Sequence, residues 1–104
     1  GINTDTISNA SDRPSDYPPT VIIKGNAVVK SEGGDYDRCI LCINAGTAKV
    51  QGNAKLIMGK GRSCIFWNAT NKNICYEKSV TIQQECDYLF RSSGSANAVE
   101  KDNC

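Results

Sequence analysis

Six cysteines in a chain of 104 residues constrain its fold more than any other feature of the sequence. They are Cys39, Cys42, Cys64, Cys75, Cys86 and Cys104. An even number at this density is typical of small proteins that fold in an oxidising compartment, where disulfides compensate for a thin hydrophobic core. We therefore expect one secreted, extracellular domain held by three disulfides, whose pairing the spacing alone does not determine.

The pair Cys39 and Cys42 has the spacing of a redox motif, but its surroundings are apolar and strand-like. A reactive pair normally begins a helix. On a strand, an odd spacing directs the two sulfurs to opposite faces, so each would bond to a different partner. A zinc site would need histidines or a second close cysteine pair, and the chain has neither. The sequence thus predicts structural disulfides, with no metal and no cofactor.

The chain divides into a polar arm, 1–19, and a domain, 20–104. The arm holds all three prolines, whereas the domain consists of short apolar, β-branched segments separated by Gly and Asn. This pattern predicts a mainly β domain, an antiparallel barrel or sandwich with hairpin turns. Cys64 and Cys75 flank a polar segment and are expected to face each other across one hairpin. The cysteine intervals do not recur, which indicates no internal repeat.

The segment 79–92 fits two periodicities. As a helix, it would begin with a capping box at Thr81 and Gln84 and end at Gly94. As a strand, its apolar side chains alternate with polar ones over most of its length. The β-rich surroundings favour a strand, and the alternative is an α+β domain with one helix near 81–92.

The chain has no histidine and a net charge of +1. The usual general base of hydrolytic enzymes is therefore missing, and no overall field attracts nucleic acid. Carboxylates remain the only acid/base candidates, in two groups that we expect to be solvated: Glu32, Asp35 and Asp37, and Glu85 and Asp87. We expect a protein that is not an enzyme, with a small carboxylate-dependent hydrolase as a distant alternative.

Two surface features are candidates for binding. Lys49, Lys55, Lys60 and Arg62 form a basic strip without acidic residues, suited to an acidic partner, a polysaccharide or lipid headgroups. Trp67 and Tyr76 would form an aromatic platform across the proposed hairpin. Asn9 and Asn68 begin candidate glycosylation sequons. No apolar run is long enough to span a membrane, and we expect a mature, monomeric protein whose signal peptide has been removed.

The size, the six cysteines, the Gly- and Asn-rich strands and the polar arm together resemble the small secreted cysteine-rich effectors and elicitors of plant-associated fungi. The resemblance covers 39–104 as cysteine spacing only, so no functional residue is transferred. It implies a virulence protein of the apoplast that binds a host protein, a wall polymer or a membrane. Fungal killer toxins share this format, which leaves a toxin or antimicrobial protein as the alternative.

Overall fold

The computed structural model describes residues 1–34, 38–68, 73–94 and 97–104, and these are mainly β-strands. A single 3-10 turn, Ala10–Asp12, interrupts the polar arm, and the described residues include no α-helix. The strands are β1 (Ile2–Thr4), β2 (Thr20–Ile23), β3 (Val28–Ser31), β4 (Cys39–Ile43), β5 (Thr47–Val50), β6 (Lys55–Asn68), β7 (Asn73–Glu77), β8 (Thr81–Ser92) and β9 (Ala98–Lys101).

Every strand pair is parallel, and the strands form two sheets. One sheet has the order β2-β5-β7-β9. In the other, β6 pairs with β8 on one side and with both β3 and β4 on the opposite side, while β1 extends the sheet beyond β4. Two neighbouring parallel strands must be joined by a crossover connection, and here each connection includes a strand of the other sheet.

The register shows that the chain winds in stacked coils. Thr20 lies opposite Thr47, and Thr47 lies opposite Asn73. In the second sheet, Lys55 stands between Val28 and Thr81 in the same way. Each coil takes roughly 25 residues, within the period of known solenoid repeats. The architecture is a parallel β-solenoid, in which each coil contacts its neighbours.

The coils turn at a recurrent corner. Gly25-Asn26-Ala27 and Gly52-Asn53-Ala54 occupy this corner in successive coils, and the Asn53 amide donates to the Gly25 carbonyl at 2.9 Å. Both glycines have a φ near +67°, at 67° and 66°, which glycine adopts without steric cost. The expectation of no internal repeat is therefore wrong, because the repeat is carried by this corner and not by the cysteines.

The core fills the space between the two sheets. The side chains that are fully or almost fully buried come from both sheets: Ile23, Ile40, Leu41, Ile43, Val50, Leu56, Met58, Ile65, Phe66 and Ile74. The rings of Phe66 and Tyr76 stack across the core with 5.4 Å between their centroids. Inward residues of one coil lie directly over those of the next, so burial depends on having a coil on each side.

The prediction of a mainly β protein is confirmed, but the antiparallel arrangement is wrong. The sheets are parallel and do not close into a barrel. In this fold Gly and Asn lie at the corners where the chain passes from one sheet to the other, whereas in a hairpin they lie at the turn that reverses the chain. Both structures need residues of this kind at the bend, so the sequence pattern is the same. The strand prediction for 79–92 is confirmed by β8, and the helical alternative is wrong.

One disulfide is present among the described residues, where the sequence predicted three. It joins Cys75 to Cys104, with 5.8 Å between the Cα atoms. Cys39, Cys42, Cys64 and Cys86 are thiols in this structure. The predicted facing of Cys64 and Cys75 is wrong, because β6 and β7 belong to different sheets. The polar segment between these two cysteines includes 69–72, which lie outside the described residues.

The polar arm lies on the end of the solenoid. Its first strand, β1, pairs with β4, and the buried Thr4 hydroxyl donates to the Ala45 carbonyl at 2.7 Å. The Tyr17 hydroxyl accepts a hydrogen bond from the Ile7 amide at 3.1 Å. Within the described ranges, no helix has the length and apolar character needed to cross a membrane.

Candidate functional site

A polar groove of about 720 Å³ crosses three successive coils. Two sets of register partners form its centre. In one set Lys30 and Gln83 flank Ile57, and in the other Ser31 and Gln84 flank Met58. The remaining lining residues are Glu32, Gly59 and Glu85. Except for Ile57 and Met58, the side chains are polar or charged, and those of Lys30, Glu32, Gln83, Gln84 and Glu85 are exposed. The groove thus presents polar groups from its two outer coils, which lie two strand spacings, about 10 Å, apart on either side of an apolar middle coil.

Glycines allow the backbones to approach closely beside this groove. A Cβ atom on Gly59 would overlap the Glu32 carbonyl oxygen, and one on Gly61 would overlap the Gly34 carbonyl oxygen. The pairing of β6 with β8 shifts register on both sides of Gly61, which marks a bulge. Two residues of the predicted basic strip, Lys60 and Arg62, therefore lie at an irregular bend in the longest strand.

The structure brings together one residue from each of the two predicted carboxylate groups. Glu32, which follows β3, and Glu85, on β8, line the same groove. Asp87 is exposed further along β8 and does not line it. Asp35 and Asp37 lie outside the described residues.

A second, more apolar cavity of about 240 Å³ lies at the other end of β4 and β6. Its lining combines three thiols with two guanidinium groups, an amide and an indole: Cys39, Cys42, Cys64, Arg38, Arg91, Asn44 and Trp67. Cys39 lies opposite Cys64, and Cys42 lies opposite Trp67. The prediction that Cys39 and Cys42 face opposite sides is wrong, since both line this cavity; between them, Ile40 and Leu41 are both buried.

Hydrogen bonds between the thiols shift the pKa values of Cys39 and Cys64 in opposite directions. The hydrogen bond from Cys39 lowers the pKa of Cys64, and Arg91 nearby lowers it further. The same bond raises the pKa of Cys39 well above its usual range, and burial raises it further. Burial also raises the pKa of Cys42 to about 11, with a further contribution from Cys39. Of the three, Cys64 is the thiol whose anion the site stabilises.

Trp67 and Tyr76 do not form the predicted aromatic platform. Trp67 lies on β6 and lines the thiol cavity, whereas Tyr76 lies on β7 and stacks on the buried Phe66. Burial raises the pKa of the Tyr76 hydroxyl. The two rings therefore belong to different sheets, and each packs against its own surroundings.

The basic strip is also divided between the two sheets. Lys49 is exposed on β5, while Lys55, Lys60 and Arg62 belong to β6. Lys60 and Arg62 are exposed at the bulge, and Lys55 is half-buried at the start of the strand. No single surface gathers these four charges.

The two candidate glycosylation sites have opposite environments. Asn9 is exposed, and its side-chain oxygen caps the 3-10 turn by accepting from the Ser11 amide at 3.2 Å. Asn68 is fully buried at the end of β6. A glycan on Asn68 would require this part of the strand to open, whereas Asn9 can carry one without any rearrangement.

Sequence reasoning missed Lys30, Gln83 and Gln84 as site residues. The repeated Gly-Asn-Ala corner would have aligned Lys30 with Ile57, which follow it at the same distance in successive coils. The corner before β8 is Lys-Ser-Val, so this signal does not extend to Gln83 and Gln84. Among the described residues, no group of three or more His, Cys, Asp or Glu side chains is arranged to hold a metal ion. No protein-family model, curated protein or solved structure matches this chain.

Proposed function

We propose that this protein is a secreted, non-enzymatic effector or elicitor that binds a neutral wall polysaccharide in the polar groove. The observation that carries the proposal is that polar side chains from the first and the last of three coils border one groove of about 720 Å³. A linear polymer lying across the coils would meet polar side chains on the first and third coils and the apolar Ile57 between them. Cys75–Cys104 is a disulfide, which suits an extracellular location.

The chemistry of the groove favours a polysaccharide over the other partners expected for such a protein. Amide groups both donate and accept hydrogen bonds, as sugar hydroxyls do. A membrane surface would require an apolar or strongly basic face, whereas the groove combines one ammonium group with two carboxylates. This charge balance also disfavours an anionic polymer.

Binding to insoluble polymers tests the proposal. The purified chain is incubated with cellulose and chitin, with polygalacturonate as the anionic comparison, and the retained fraction is measured. We expect retention on a neutral polymer and a loss of about fivefold in affinity for Gln83→Ala, since one net hydrogen bond contributes about 1 kcal/mol. Failure of every neutral polymer to retain the protein would contradict the proposal.

Charged residues provide matched controls for the groove. Lys30→Ala removes a lysine that lines it, whereas Lys49→Ala removes a lysine that is also exposed but lies on the other sheet. Glu85→Gln and Glu100→Gln form a second such pair. We expect weaker retention only for Lys30→Ala and Glu85→Gln. Equal losses from both members of a pair would show that retention reflects overall charge.

A carboxylate-dependent hydrolase is the second candidate, because Glu32 and Glu85 share the groove. Both side chains are exposed, whereas a general acid that works at neutral pH is usually buried so that it keeps its proton. The absence of turnover is therefore expected. Release of reducing ends from a bound polymer by the wild type, lost in Glu32→Gln and Glu85→Gln, would replace binding with hydrolysis.

Infiltration into leaf tissue tests the role of an effector. The folded protein, a reduced and alkylated sample and the Gln83→Ala variant are compared at equal concentration. We expect a tissue response to the folded protein and a weaker one to the variant. Inhibition of microbial growth that salt abolishes, without a leaf response, would instead favour an antimicrobial protein.

A further inference from the structure

Four thiols lie along neighbouring strands of one sheet, on β4, β6 and β8. The central pair is Cys39 and Cys64, which are register partners on neighbouring strands and line the same cavity. Neighbouring parallel strands are about 4.8 Å apart. Disulfides join Cα atoms that are about 4.4 to 6.8 Å apart, so the backbone already meets this requirement.

The other five pairings fail the same distance requirement. Cys86 is separated from both Cys39 and Cys42 by the intervening strand β6, which places the Cα atoms at least about 9.6 Å apart. Cys39 and Cys42 are three residues apart on one strand, which places their Cα atoms about 10 Å apart. Cys64 lies opposite Tyr88, so Cys86 is displaced by two residues and its Cα atom is about 8 Å away. Cys42 lies opposite Trp67, which displaces it from Cys64 by three residues. Cα atoms more than about 7 Å apart cannot be bridged without backbone movement.

We propose that Cys39 and Cys64 form a disulfide between successive coils by exchange with a low-molecular-weight disulfide such as oxidised glutathione. Both thiols line the thiol cavity. One of the two sulfurs attacks oxidised glutathione, displaces one glutathione thiolate and forms a mixed disulfide. The other protein sulfur then attacks the protein sulfur of that mixed disulfide and releases the second glutathione thiolate. Both protein thiols are oxidised, both glutathione sulfurs are reduced, and the two thiol protons pass to the glutathione thiolates.

The proposal therefore assigns two disulfides to the oxidised protein, Cys39–Cys64 and Cys75–Cys104, and two retained thiols. Cys86 is almost fully buried, and its thiol lies 3.2 Å from the Tyr88 carbonyl oxygen. Cys42 is held beside Asn44, whose amide nitrogen lies 3.5 Å from its sulfur. The new bond fastens β4 to β6 at the thiol cavity, and it does not involve the polar groove.

The test is disulfide mapping by mass spectrometry. The reduced full chain is equilibrated with a mixture of reduced and oxidised glutathione, free thiols are blocked with N-ethylmaleimide, and tryptic peptides are sequenced. Cys39 and Cys42 share one tryptic peptide, so fragmentation between Ile40 and Leu41 assigns the bond. We expect Cys39–Cys64 and Cys75–Cys104 linkages, with label on Cys42 and Cys86. The thermal midpoint should rise by roughly 10 °C when Cys39–Cys64 forms.

Two variants serve as controls for this result. Cys42→Ala should still form the Cys39–Cys64 bond, whereas Cys64→Ser should leave Cys39 free for labelling. Circular dichroism confirms that each variant is folded. A Cys39–Cys42 or Cys64–Cys86 linkage, or no new linkage under conditions in which Cys75–Cys104 forms, would overturn the proposal.

Discussion

The strands β6 and β8 are paired along their whole length, yet their environments differ. β6 has neighbours on both sides, and Leu56, Met58 and Phe66 are fully buried on it. Among the described strands, β8 pairs with β6 alone, and one residue of β8, Cys86, is buried. Because the two strands share a register, the contrast shows that burial follows the number of neighbouring strands, and the sequence agrees with it: Ile57 and Met58 on β6 face Gln83 and Gln84 on β8.

The same contrast separates stability from recognition. The middle coil supplies the groove with the half-buried Ile57 and, beneath it, the core residue Met58, and the last coil supplies exposed Gln83, Gln84 and Glu85. An exposed polar side chain keeps its hydrogen bonds to water, whereas a buried one without a partner destabilises the fold. The less buried strand is therefore the one able to present a binding surface.

The largest expected effect comes from a pair of phenylalanines in direct register, Phe66 on β6 and Phe90 on β8. Phe66→Ala removes a fully buried ring that stacks on Tyr76 and should lower the free energy of unfolding by about 3 to 5 kcal/mol. Phe90→Ala should cost about half as much or less, since its ring is half-buried. Urea unfolding of both variants measures the difference, and equal losses would contradict the dependence of burial on stacked coils.

The next effect concerns the disulfide that holds the last coil. Cys75→Ser should lower the free energy of unfolding by about 3 kcal/mol in the chain-entropy model, because the bond closes a loop with a sequence separation of 29. Hydrogen exchange should accelerate in β9 more than in β6. Uniform acceleration across both strands would show that the coils open together and that the last coil is not separately stable.

A smaller effect is expected from two glycines. Gly61→Ala should cost about 2 to 3 kcal/mol, because its φ is 134° and a Cβ atom would overlap the Gly34 carbonyl oxygen. Gly25→Ala, with a φ of 67° and no atom within 4 Å of the added Cβ, should cost about 1 kcal/mol. Thermal unfolding ranks the two. A smaller loss at Gly61 would contradict the close approach of the coils at the bulge.

The smallest effect is a pH dependence at Cys42. Its pKa is raised from 9.0 to about 11 in the folded chain, so the fold favours the neutral thiol. This contribution to stability is fully present below pH 9 and is lost as the pH rises toward 11. Unfolding titrations of the reduced wild type and Cys42→Ala should converge over that interval. An identical pH dependence in both proteins would contradict the shift.

Much of the secondary structure was predictable from these residues, but the topology was not. Short β-branched segments and the period-two pattern of 79–92 indicated strands, and these are observed. Gly and Asn at the breaks fit hairpins and solenoid corners equally well, because both need residues that tolerate a positive φ. The repeated Gly-Asn-Ala tripeptide distinguishes them, since it recurs one coil apart.

The candidate site was predictable only in part, for a related reason. Glu32 and Glu85 were recognisable as carboxylates, but their shared groove depends on parallel register across three coils. Trp67 and Tyr76 were recognisable as aromatic residues, and an assumed hairpin placed them together wrongly. Residue type indicates the chemistry that a position can supply, whereas the stacking of coils decides which positions meet.

The most direct test of polysaccharide binding by stacked coils is an NMR titration of the labelled protein with soluble hexasaccharides of cellulose and chitin. Binding in the groove predicts concerted shifts of the amide resonances of Lys30, Ile57 and Gln83, one from each coil, with little change at Trp67 or Val99. Shifts confined to the thiol cavity around Trp67, or no shifts with either sugar at millimolar concentration, would contradict it.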